Sequence, residues 1–147
     1  MKLHKALALS TVLVILMGAA AGCNLLSSPT ATLKAFYTAT QKKDAEGIKK
    51  TLSKGTIEML EGFAKLQNKT LDETLKSGLA KDSATEKMPE TRNEKIDGDR
   101  ATLEVKNDKT GQWETLPFVK EEGSWKIAFD QLYRDALQKM GNSNSNK

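Results

Sequence analysis

Histidine and cysteine each occur once in the 147 residues, proline three times, and aromatic residues make up only 5%. Each shortage excludes something. A single cysteine, Cys23, cannot form an intramolecular disulfide. The single histidine is His4, so the chain beyond it carries no imidazole. Ser-His-Asp and Cys-His nucleophilic catalysis are excluded there, and so are zinc sites built on His or Cys ligands. Carboxylates, lysines, tyrosines and hydroxyls are the groups left for chemistry, and neither a metal nor a cofactor is expected. Charge of one sign is not concentrated either. The 23 basic and 19 acidic residues interleave, as in Lys42-Lys43-Asp44 and Lys120-Glu121-Glu122. That is the pattern of a solvated surface without a basic, aromatic-bearing stripe, so nucleic acid is not an expected partner.

The one long uncharged run lies at the start. Lys2, His4 and Lys5 form a basic opening, and Ala6 to Gly22 follow without a charge. These are the n-region and h-region of a secretory signal. A membrane span needs about 20 predominantly apolar residues. This run is shorter and weakens into Gly18-Ala19-Ala20-Ala21-Gly22. Ala20-Ala21-Gly22-Cys23 resembles the lipobox of bacterial lipoproteins, in which small residues precede a cysteine that becomes lipidated. The thiolate is the nucleophile that takes up the lipid. Ala20 departs from the pattern, standing where leucine is usual. The resemblance implies a signal peptide over 1–22, acyl chains such as palmitate on Cys23, and a tether over 23–29 that holds the chain to a membrane of the cell envelope. Asn24 follows the cysteine where an inner-membrane retention signal would have aspartate. This favours the outer membrane, facing the periplasm, in an organism that has one.

Removing residues 1–22 leaves 125 residues, enough for one domain. It also removes Lys2 and Lys5, so 21 basic residues face 19 acidic ones and the net charge is close to neutral. Ser28-Pro29 reads as a helix start, with serine as N-cap and proline at the first position. Leu33, Phe36, Tyr37 and Thr40 then keep helical spacing. A second short helix places Ala45, Ile48 and Leu52 inward. A third, from about Ile57 to Gln67, offers a broad apolar face of Met59, Leu60, Phe63, Ala64 and Leu66. Leu71, Leu75 and Leu79 suggest a fourth, up to Lys81. From Thr91 the period shifts towards two. Thr91 to Ile96, Ala101 to Val105, Trp113 to Lys120 and a last strand with Trp125, Ile127 and Phe129 on one face read as antiparallel hairpins. A final helix through Leu132, Tyr133, Ala136, Leu137 and Met140 is expected to stop at Gly141, leaving 141–147 as a disordered tail.

Helices first and a meander of strands after them is an α+β pattern. The order resembles the NTF2-like superfamily, an α+β cone in which N-terminal helices pack on a curved antiparallel sheet. The resemblance rests on Leu33-Lys34-Ala35-Phe36-Tyr37 with the break at Lys42-Lys43-Asp44, on the hairpin segment Gly98 to Val105, and on Glu122-Gly123-Ser124-Trp125-Lys126-Ile127. More narrowly, the chain is similar to DUF4878-type lipoproteins, which place such a domain directly after a lipobox. The domain would cover 30–140, with an extra C-terminal helix beyond the minimal fold. The resemblance implies a cavity, for which Phe36, Tyr37, Phe63, Trp113, Trp125 and Phe129 are the candidate lining residues. Asp44 and Asp130 are the nearest acids, and both stand at element ends, where capping is the ordinary role. No catalytic residue is therefore assigned, and the chain is not read as an enzyme. The leading expectation is a non-catalytic, membrane-tethered domain that binds a small apolar ligand or an envelope protein. A dimerising interaction module is the first alternative. A carboxylate-dependent enzyme of the ketosteroid-isomerase or SnoaL type is the second.

Overall fold

A computed structural model of the chain describes residues 26–79 and 87–144. The signal segment 1–22, Cys23 with tether residues 24–25, and the tail residues 145–147 lie outside the described residues. The order of elements is α1 (Pro29–Gln41), α2 (Ala45–Thr51), α3 (Lys54–Leu66), α4 (Leu71–Thr74), β1 (Thr91–Asp97), β2 (Arg100–Lys106), β3 (Trp113–Glu121), β4 (Ser124–Ile127) and α5 (Phe129–Asn144). The four strands form one open antiparallel sheet in sequential order. The architecture is thus α+β, with α1 and α2 packed on one face of the sheet.

Local chemistry starts and stops these elements. The Ser28 side chain accepts from Ala31 N–H, Asp44 from Gly47 N–H, and Ser53 from Thr56 N–H, which caps α1, α2 and α3. Thr70 and Glu73 form a reciprocal capping box on α4, which passes into a π turn over Leu75–Leu79. The Glu122-Gly123 turn between β3 and β4 has positive φ at both central positions (51° and 78°). Such a two-residue turn has the twist that matches the flanking strands.

The core lies between α1, α2 and the inner face of the sheet. Leu33 and Phe36 of α1 and Ile48 of α2 meet Leu103 of β2, Phe118 of β3, and Trp125 and Ile127 of β4. Alternation along β2 buries Ala101 and Leu103 and turns Thr102 and Glu104 outward. Each fully buried side chain of this size stabilises the fold by about 1.5–3 kcal/mol.

The sheet ends at β4, and the helices close that edge. Trp125 N–H donates to the carbonyl of Leu26 at 3.0 Å, and Ser53 N–H donates to the carbonyl of Ile127 at 2.9 Å. Two hydroxyls complete the seal: Thr32 Oγ1 donates to the Trp125 carbonyl at 3.1 Å and Thr56 Oγ1 to that of Ile127 at 3.3 Å. Thr32, Ser53 and Thr56 are buried polar residues. Here they replace a neighbouring strand.

Three sequence expectations are corrected. Phe129 is not a strand residue, because β4 ends at Ile127 and α5 begins at Phe129. Pro117 explains the early end. Its carbonyl accepts from Ala128 N–H at 3.0 Å, but it has no N–H to return, so pairing stops there. The apolar face of α3 is narrower than expected, since Ala64 is buried while Phe63 and Leu66 are 36% and 82% exposed. Helix α5 does not stop at Gly141 but continues to Asn144. A helical glycine costs only about 1 kcal/mol, and with no turn chemistry after it nothing forces termination.

Replacing Thr32 by valine keeps the shape and leaves the Trp125 carbonyl without its hydroxyl partner. The expected loss is about 1–3 kcal/mol in denaturant unfolding, the cost of a buried unsatisfied acceptor.

Candidate functional site

Three places on the described residues bring polar or charged groups together. The first joins α3 to α5. Asp130, in the first turn of α5, accepts from Thr56 Oγ1 at 2.9 Å and from Ser53 Oγ at 3.0 Å. Its other oxygen pairs with Arg134. Asp130 is thus engaged on both oxygens, as a bridge between helices whose partners are more than seventy residues apart in sequence. The Ser53 hydroxyl is hydrogen-bonded with Thr56 and Asp130. Gly55 makes the approach possible: a Cβ there would stand 2.6 Å from Asp130 Oδ2.

The second place is the outer face of the sheet. Register puts Arg92 of β1 opposite Glu104 of β2, and Lys106 opposite Trp113 of β3. The Arg92 guanidinium lies over the Trp113 ring, 3.9 Å from its centroid, and its Nε is 2.6 Å from Glu104. Hydrogen bonds from Arg92 and then Asn93 hold the Glu104 carboxyl below its ordinary range. A β-bulge between Arg92 and Lys95, with Asn93 at φ 52°, interrupts the edge strand and turns Glu94 towards the start of α1. There Glu94 accepts from Thr30 N–H at 2.9 Å. The bulge blunts the free edge of the sheet against pairing with another strand.

The third place is a groove of about 740 Å³ between α1 and α2. Ala31, Ala35 and Ala39 of α1 and Gly47 of α2 give it an apolar floor, while Lys34, Lys42 and Lys50 stand around it. Leu26 and Ser124 also line it. A smaller cleft of about 310 Å³ on the other side of α2 is charged in both signs, with Lys49, Lys54, Glu58 and Glu121 among its lining. Among the described residues no group of three or more His, Cys, Asp or Glu is placed to hold a metal ion, and no helix is long and apolar enough to cross a membrane.

None of the six candidate lining residues lines either groove. Phe36 and Trp125 are core residues. Tyr37 and Phe129 flank Phe36 edge-on, with ring centroids 5.9 and 6.0 Å away. Burial, and then the Asp108 carboxylate, push the Tyr37 hydroxyl above its ordinary value of 10.0. Phe63 is at the surface against Tyr133 of α5. Trp113 is half-buried under Arg92. Cys23 lies outside the described residues. Asp44 is occupied as the α2 cap.

The groove lysines were hidden in what reads as a solvated face. Lys34, Thr38 and Lys42 repeat every four residues beside Ala31, Ala35 and Ala39, a stripe of small residues rimmed by cations. That spacing was the available signal. Comparison with family models, with curated proteins and with solved structures gives no match.

Gly55→Ala is expected to destabilise the fold by about 1–3 kcal/mol, as overpacking does. Combining it with Asp130→Ala should recover part of that loss, because the clashing carboxylate is gone. A double-mutant cycle by chemical denaturation checks the coupling, and strictly additive losses would contradict the contact.

Proposed function

We propose that this chain is a cell-envelope lipoprotein, anchored through Cys23, whose NTF2-like domain binds a small hydrophobic ligand or an envelope partner without catalysing a reaction. The observation that carries the reading is the position of the α1–α2 groove. Leu26, in its lining, is three residues from the lipobox cysteine and is tied by its carbonyl to Trp125 N–H. Three residues reach at most about 10 Å. A lipid on Cys23 would therefore hold the groove close to the bilayer, where hydrophobic molecules concentrate.

The chemistry of the domain agrees with binding rather than turnover. Asp130 and Asp44 serve the backbone and hydroxyl groups of helix starts. No imidazole or thiol follows Cys23. The groove is floored by alanine and glycine, side chains that give room but no acid or base.

The full chain expressed in bacteria should incorporate labelled palmitate and fractionate with membranes, and Cys23→Ser should lose both. Label retained by the serine variant would remove the anchor from the account. Thermal-shift screening against lipids and hydrophobic metabolites tests the binding half. A ligand that raises the midpoint for the native chain should fail to do so for Ala35→Trp, which fills the groove floor.

A further inference from the structure

We propose that the α1–α2 groove takes the headgroup of an anionic phospholipid from the membrane that anchors the chain. This rests on the anchored reading above and names the chemistry of its ligand. The cations come first. Lys34 of α1 and Lys42, the residue that caps its C-terminus, lie about two turns or roughly 12 Å apart along the axis, and Lys50 of α2 lines the same groove. None of the three forms an ion pair among the described residues, whereas Lys49, Lys54, Lys106, Arg92 and Arg134 all do. All three line one space, where three cations face a single carboxylate. The single acid that lines the groove is Asp44, whose side chain accepts from Gly47 N–H at 3.0 Å.

The floor distinguishes a lipid from a bare anion. Beneath the lysines the surface is apolar, with Ala31, Ala35 and Ala39 on successive turns of α1. A phosphate would use the rim alone; a glycerophospholipid would use the rim for its phosphate and the floor for the first methylenes. Placement completes the argument. Leu26 lines the groove and is fixed to β4 through Trp125. A lipid on Cys23, three residues before Leu26, would lie within about 10 Å of the groove lining. Headgroup binding would set the domain groove-down on the bilayer. The outer sheet face around Trp113 and the exposed Leu132, Leu137 and Met140 of α5 would remain available for other contacts.

The test uses the lipidated full chain in vesicles. Because Cys23 is the only cysteine and carries the lipid, Thr38→Cys gives one free thiol for a fluorescent label at the exposed groove rim. Thr115→Cys gives the same label on the outer face of the sheet. Vesicles contain brominated phosphatidylcholine as quencher, alone or mixed with phosphatidylglycerol. The expected result is that phosphatidylglycerol brings strong quenching at position 38 and none at 115. The Lys34→Gln, Lys42→Gln, Lys50→Gln combination should abolish it, and the corresponding arginine combination should restore it. Equal quenching at 38 in both vesicle types, or quenching that survives the glutamine changes, overturns the proposal. A chain that does not float with either vesicle type overturns the anchored reading itself.

Discussion

A four-stranded sheet with an unpaired edge would expose the backbone of Trp125 and Ile127, two of the largest core residues. The fold depends on how that edge is closed. The carbonyl of Ile127 accepts from Ser53 N–H and from the Thr56 hydroxyl, the carbonyl of Trp125 from the Thr32 hydroxyl, and Trp125 N–H finds Leu26. A buried backbone group without a partner costs about 1–3 kcal/mol, so three such groups in one strand would consume much of a domain's marginal stability. Helix starts and hydroxyls take the place of a fifth strand. The helices are consequently not a layer laid over a finished sheet; they complete it.

Other features follow from that closure. Ser53 is at once the partner of Ile127, the cap of α3 and a ligand of Asp130, so the end of β4, the start of α3 and the first turn of α5 share one junction. Pro117 ends the pairing of β4 at the position where the chain must leave for α5. The Leu26 bond fixes where the chain enters the domain, and Leu26 lines the α1–α2 groove. The groove therefore has a defined position relative to Leu26 for reasons of backbone satisfaction, whatever it binds.

Much of the local structure was legible in the sequence because it is written in short-range chemistry. Ser28-Pro29 marks α1, alternation through Ala101, Leu103 and Val105 marks β2, and Gly98 and Gly123 take the positive φ their turns require. The order of helices and strands was readable on the same terms. What escaped depends on contacts between distant residues. Nothing near Phe63 in sequence says that its face of α3 meets only part of α5. Thr32 and Thr56 look like poor helix formers until the carbonyls of Trp125 and Ile127 are placed above them. Asp130 looks like a helix-start acid, and its hydroxyl partners 74 and 77 residues away are invisible. The groove was missed because lysines among alanines read as a solvated face, and only the packing of α2 against α1 turns that face into a space.

Native-state hydrogen exchange at the Ser53 amide tests the closure of the β4 edge most directly. If the helices complete the sheet, Ser53 N–H exchanges only with global unfolding, at the same opening free energy as the amides of the β2–β3 ladder. Exchange of Ser53 through a local opening well below that free energy would show the β4 edge to be a loose contact, and would contradict the account.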